Sequence, residues 1–119
     1  MNHIDRGRIN EDRAAAYLER SGHTILDRNW RHRGLEVDII SETECFIVVT
    51  EVKSVIQGST ERPEDAINIK KQQGIIRTAE AWIWQHRPAK PVRFDVIFIG
   101  DDSSGTLIEH IRDAFYPTT

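Results

Sequence analysis

The chain has 119 residues, 39% of them hydrophobic and 29% charged, with a formal net charge of −3. That length suits one compact domain over 1–119 and a small core that a homodimer or another partner would complement. One cysteine excludes an intramolecular disulfide, no apolar run is long enough for a membrane helix, and the charged N-terminus has no secretory apolar stretch, so the expected location is the cytoplasm and no membrane partner is expected.

Along the chain, Ala14, Ala15 and Leu18 recur at helical spacing and predict a helix over Arg8–Arg20, stopped by Gly22 and capped at its start by Asn10 or Asp5. Glu11 lies one turn before the apolar pair, where a carboxylate needs a partner, a metal or an edge position. His23–Trp30 reads as a strand and Arg31-His-Arg-Gly34 as a basic turn. Leu35-Glu-Val-Asp-Ile-Ile40 alternates, with Leu35, Val37 and Ile39 expected on one face and Glu36, Asp38 and Ile40 on the other. Ser41–Glu44 is turn-like, and Cys45 at the next strand's start reads as a small core residue. Phe46–Lys53 is β-branched and predicts a strand with Glu51 and Lys53 on one face, Thr50 and Val52 on the other. Ser54–Arg62 is a predicted loop, and Pro63 suits the first turn of a second helix running to His86. Ile75, Ile76, Ala79, Trp82 and Ile83 form that helix's apolar stripe, while Trp84 falls on the opposite side as a packing or dimer contact. Val92–Ile99 and Thr106–Ile111 complete an αβββαββ order, which implies an α/β layer fold with a mixed sheet.

The chemistry sits in Asp38, Glu51 and Lys53. Glu51 and Lys53 leave one strand on the same side. Asp38 lies on the preceding strand and supplies a second carboxylate. Two carboxylates hold a hard cation such as Mg²⁺ or Mn²⁺, and a neighbouring lysine positions water or stabilises phosphate charge. The same Glu-x-Lys pattern also serves as an exposed ion pair. A turn over Ser41–Glu44 would pair Ile40 with Cys45 and Asp38 with Ile47, leaving Glu51 about 13 Å further along. Closing the site then requires a twist, bend or bulge near Gly34–Asp38. Glu36 reads as an alternate ligand or as the partner of an arginine such as Arg33, and Asp95 as a structural hydrogen-bonding group. The histidines lack zinc spacing, and no Walker loop is present.

Arg31-His-Arg-Gly-Leu-Glu-Val-Asp-Ile-Ile40 followed by Val49-Thr-Glu-Val-Lys53 resembles the YraN-like family of small bacterial proteins, uncharacterised protein family 0102. Gly7, Glu11, Ala14, Tyr17-Leu18, Gly22, Ile25-Leu26 and Asn29-x-Arg31 extend the likeness through the first helix and strand, and Pro63, Lys71, Ala79 and Arg93-Phe-Asp-Val96 through the second half. The resemblance implies a restriction-endonuclease-like fold of the PD-(D/E)XK type, distantly similar to Holliday-junction resolvases, with the two strands curled so that their ends converge. It implies that Asp38, Glu51 and the Val52 carbonyl bind metal, that Lys53 is the catalytic lysine, that Glu11 is an added acidic group and that Lys71 faces phosphate. Asn10 and Leu35 stand where the family usually has glycine, and Ser54-Val55 lacks the basic residue often found after Glu-x-Lys.

The expected function is therefore a divalent-metal-dependent nuclease acting on DNA, including structured or branched DNA, with Arg31, Arg33, Lys70 and Lys71 on backbone phosphates. The alternative is a noncatalytic nucleic-acid-binding or protein-interaction module on the same fold, which the acidic net charge and the absent basic residue at 54–55 favour.

Overall fold

The computed structural model describes residues 3–55 and 67–117. The elements are α1 (His3–Arg20), β1 (Thr24–His32), β2 (Leu35–Glu42), β3 (Ile47–Val55), α2 (Ile69–His86), β4 (Val92–Asp102) and β5 (Gly105–Phe115). They form one five-stranded sheet in the order β1-β2-β3-β4-β5. Pairings are antiparallel except β3–β4, which is parallel because α2 carries the chain back across the sheet.

Each helix covers one face. On β3 and β4 the side chains alternate strictly, so each strand feeds both layers. Ala14, Ala15 and Leu18 of α1 pack on Ile39, Ile97 and Ile99. Ile75, Ala79 and Trp82 of α2 pack on Val37, Ile40, Val49, Phe94, Val96 and Phe98 on the other face. Ile76 and Ile83 lie at the margin of that stripe. The Trp82 indole stays hydrogen-bonded while buried, donating to Asp27 Oδ2 at 2.8 Å. The result is the expected three-layer α/β fold, a mixed sheet between helices, restriction-endonuclease-like in architecture. Among the described residues no helix is long and apolar enough to cross a membrane.

Several boundaries differ from expectation for local reasons. α1 starts at His3, so Asn10 is not a cap. It is buried mid-helix, where its amide donates to Ser54 Oγ at 2.9 Å. α2 starts at Ile69 because Asn68 caps it, accepting from the Lys71 N–H at 2.8 Å. Pro63 lies outside the described residues, as does the predicted loop beyond Val55. β1 runs on to His32, and Arg33 and Gly34, both with positive φ (51° and 79°), make a two-residue hairpin turn. β2 continues to Glu42, and the next turn occupies Thr43–Phe46, where the Thr43 and Phe46 main chains bond each other at 2.9 Å. Cys45 sits in that turn and is exposed, not a core residue. β3 continues through Ser54 and Val55 beside Gly100, where any Cβ would collide with the Val55 carbonyl.

Under α1 lies the most elaborate polar network of the molecule. Asp95, fully buried, receives the Arg93 guanidinium twice at 2.8 Å, His110 Nε2 at 2.7 Å and the Asp113 N–H at 3.0 Å. His110 Nδ1 lies 3.0 Å from the Tyr17 hydroxyl, which ties β4 and β5 to α1. Burial alone would raise the Asp95 pKa, but the bonds from His110, Arg93 and Asp113 outweigh it and hold the group down at about 2. The structural role expected for Asp95 is the one it has.

This network predicts acid sensitivity. The folded value lies below the ordinary 3.8, so the stabilisation is complete above about pH 4 and lost as pH falls towards 2. Asp95→Asn should cost roughly 3 kcal/mol at pH 7, since it takes the counter-charge from half-buried Arg93 and an acceptor from His110. In chemical denaturation followed against pH, the wild-type and variant curves should converge near pH 2.

Candidate metal centre

Asp38 sits where two ladders break at once. On one side, β1 pairs Arg28 with Ile39 and Trp30 with Val37, but Asn29 between them adopts a left-handed backbone (φ 51°). Asparagine is among the few residues that tolerate this. On the other side, the β2–β3 pairing runs from Glu42↔Ile47 to Ile39↔Thr50 and stops. In place of the next rung, the Val52 N–H donates to Asp38 Oδ2 at 2.8 Å. The same break upsets the alternation of β2: Val37 and Ile40 face α2 while Ile39 faces α1. Leu35, Val37 and Ile39 therefore do not share a face as expected.

The register also differs from expectation, because the turn lies two residues later. Asp38 stands level with Glu51 and not with Ile47. The distance problem posed by the sequence disappears, and no curling of the strands is needed to bring the carboxylates together. Glu51 is buried on the α2 side of β3, with half-buried Lys53 on the same side. Lys71 Nζ, on the first turn of α2, lies 3.6 Å from Glu51 Oε2. That distance is an ion pair without a hydrogen bond, and among the described residues Oε2 has no hydrogen-bond partner.

The electrostatics follow from this crowding. Burial pushes Asp38 up to about 9, its hydrogen-bond contact with Glu51 and the Glu51 charge add to the rise, and the Val52 N–H offsets part of it. Without a cation the Asp38 carboxyl therefore holds its proton through neutral pH. Glu11 is raised above its usual value, first by burial and then by the charges of Asp38 and Glu36, against a hydrogen bond from Asn29. Asn29 Nδ2 donates to Glu11 Oε1 at 2.8 Å, and Arg28 lies 3.8 Å from the same oxygen. Glu11 is thus near Asp38 but tied to β1. Among the described residues no three carboxylate, imidazole or thiolate groups converge as a metal cluster. The donors available for a hard cation are the Asp38 and Glu51 carboxylates, with the neighbouring Val52 carbonyl as the main-chain oxygen the sequence pointed to. A Glu51 oxygen with no hydrogen bond among the described residues, and the crowded Asp38 carboxyl beside it, fit a divalent ion.

The expected substrate-binding residues separate. Asp38, Lys70, Lys71 and Arg77 line one cleft of about 520 Å³ between α2 and the β1–β2 hairpin. Arg33 lines an adjoining recess. Arg31 lines neither; it lies 3.8 Å from Glu36, taking the place expected for Arg33. One contributor escaped the sequence reading: Asn29 both breaks the ladder and holds Glu11, and its only signal was an asparagine inside a strand. Arg77, which the sequence groups with Lys70 and Lys71 as a basic cluster on a solvated face, joins the cleft from the third turn of α2.

The family model for uncharacterised protein family UPF0102 matches residues 10–99. A UPF0102 protein of Nitratidesulfovibrio vulgaris is 42% identical over 114 residues, covering 92% of this chain and 82% of the relative. Counterparts in Parabacteroides distasonis (39% identical; 94% and 93% covered) and Bacteroides thetaiotaomicron (36%; 97% and 95%) match over nearly their whole length.

A crowded carboxylate pair burdens the fold. With its folded value above the ordinary 3.8, Asp38 takes up a proton on folding, and stability falls as pH rises from about 4 towards 9. Asp38→Asn removes that burden. Its melting temperature should exceed that of the metal-free wild type by a few degrees at pH 8 (~1–2 kcal/mol), and the gap should close near pH 4. Thermal melts across that range in chelator test this.

Proposed function

The chain belongs to uncharacterised protein family UPF0102, the YraN-like family, and we propose that it is a divalent-metal-dependent nuclease that hydrolyses DNA phosphodiester bonds. The observation that carries this reading is Glu51 Oε2, buried beside Asp38 with no hydrogen-bond partner among the described residues and only the loose Lys71 ion pair at 3.6 Å against it. Such an oxygen is costly unless a closer cation completes it.

Bound at the pair, Mg²⁺ or Mn²⁺ supplies Lewis-acid polarisation of a phosphoryl oxygen and a more acidic water. The protein's own groups do the rest. The Val52 N–H holds Asp38 in place through its Oδ2 at 2.8 Å. Lys53, one pleat beyond Glu51, orients the attacking water or takes up charge on the phosphate. Lys71 neutralises Glu51 in the metal-free state and is free to hold a phosphate when that charge is met elsewhere. Glu11, held by Asn29, adds negative potential beside Asp38 without competing for its position.

The second reading, an interaction module without catalysis, draws on one feature. Ser54, where a basic residue is absent, is engaged by Asn10 and offers nothing to phosphate.

Calorimetric titration with Mg²⁺ and Mn²⁺ separates the two, run beside a cleavage assay on single-stranded, duplex and branched DNA. Asp38→Ala should lose metal binding and cleavage together. Lys53→Ala should keep metal binding while cleavage falls about 100-fold or more. A wild type that takes up no metal even with DNA present would sink the nuclease reading and leave the interaction module.

A further inference from the structure

We infer that the exposed side of α2 and the β1–β2 hairpin form a track for one polynucleotide strand, leading away from the carboxylate pair. The inference rests on the nuclease reading only for where the track ends.

The cleft at Asp38 does not stop there. A second recess of about 550 Å³ lies between His32 and Arg33 on the hairpin and Ala81 on α2. The two share Leu35 and Arg77, so they are successive parts of one groove. Arg77, Ala81 and Trp84 follow at i, i+4 and i+7 and so share a helix face. The groove therefore runs on towards Trp84, which is 70% exposed, with the Arg87 guanidinium 4.1 Å from its ring centroid. From Lys70 to Trp84 the helix rises about 21 Å.

What lies along this path matches the needs of a strand. Lys70, Lys71, Arg33 and Arg77 are exposed cations on a chain whose net charge is −3, so positive charge is concentrated here. Beyond Asp38, its acids among the described residues are Glu36, which has Arg31 beside it, and Glu80. Between the cations stand two flat groups. The His32 ring lines the groove and is backed by Trp30, parallel within 4°. Trp84 with Arg87 stands at the far end. Alternating phosphate contacts and stacking surfaces is how proteins hold single strands.

The shape of the walls favours a strand over a duplex at the floor. The hairpin turn at Arg33–Gly34 lies four to five residues beyond Asp38, roughly 13–17 Å of strand. Leu35 leans across to α2, its methyl 3.8 Å from where a Cβ on Gly74 would stand. A stiff duplex cannot bend into that gap, and a single strand can follow it.

The test is fluorescence anisotropy in chelator, where nothing is cut, using labelled oligothymidine and oligouridine of about 15 nucleotides and a blunt duplex of equal length. The strand should bind at least ~10-fold tighter than the duplex. Trp84→Ala should weaken strand binding about 10-fold. Arg77→Ala should reduce the slope of log affinity against log salt by about 0.7, and Gln85→Ala should change nothing. Both strands binding supports the track, and the tighter one names the preferred polymer. Duplex binding as tight as strand binding overturns it. So does an unaltered strand affinity in Trp84→Ala, whether or not light scattering shows that variant falling from dimer to monomer. Strand binding as expected, with no cleavage on adding Mg²⁺ or Mn²⁺, upholds the track and sinks the nuclease reading.

Discussion

One hydrogen bond organises the chemistry of this protein. The Val52 N–H donates to the Asp38 carboxylate instead of to a strand carbonyl. A regular ladder would have carried β2 and β3 past each other with every main-chain group satisfied and no acidic side chain held between them. Because the side chain takes the rung, the strands part just after Ile39↔Thr50, and the opening is filled by two carboxyls and not by apolar packing. The left-handed Asn29 on β1 makes the same break from the other side. Strain and lost pairing on both flanks of one residue mark a place where structure serves something other than stability.

Two aspartates show what surroundings do to the same group. Asp95 and Asp38 are both withdrawn from water, and burial pushes both upward. Around Asp95 stand an arginine, a histidine and a main-chain N–H, so the charged form wins and the value ends at about 2. Around Asp38 stand another carboxyl and one N–H, so the neutral form wins and the value ends at about 9. Asp95 arrives with its counter-charges built in and supports the fold. Asp38 arrives with its compensation missing, and what would complete it is a ligand.

The layers were legible because the strongest patterns are the least ambiguous. The β-branched run before Glu51 could only be a strand, and period two then put Glu51 and Lys53 on one side. Trp84 was rightly placed away from the apolar stripe for the same geometric reason. What failed were features set by single residues. The turn after β2 was placed two residues early because Ser41 looks like a turn residue, whereas it is wholly buried, its hydroxyl 2.8 Å from His23 Nδ1. That error alone shifted the register and separated Asp38 from Glu51 on paper. Pro63 drew the start of α2 forward, although Asn68, three residues before Lys71, is the cap. An asparagine inside β1 permits a left-handed residue without requiring one, so the break in alternation at Asp38 was not fixed by the sequence pattern.

The two faces of the sheet divide the work. On the α1 side, cross-links fix helix to sheet: Asn10 to Ser54, Tyr17 to His110, and Arg13 to Asp101 at 3.1 Å. On the α2 side the attachment is apolar apart from the Trp82–Asp27 hydrogen bond, and the polar groups near the helix start are left for other uses. Among the described residues Lys71 has a loose ion pair at 3.6 Å, and Arg77 lines the groove. A rigid face behind the carboxylates and an open, cationic face in front of them is the arrangement a site needs if its geometry must persist while the thing it binds comes and goes. The acidic net charge does not contradict this. Much of the negative charge is matched by arginines and lysines elsewhere, as in Arg28–Asp12 and Lys90–Glu42, while the cations beside Asp38 face the groove. A long-range approach is governed by the whole chain's charge, but a phosphate within a Debye length of α2 meets the local one.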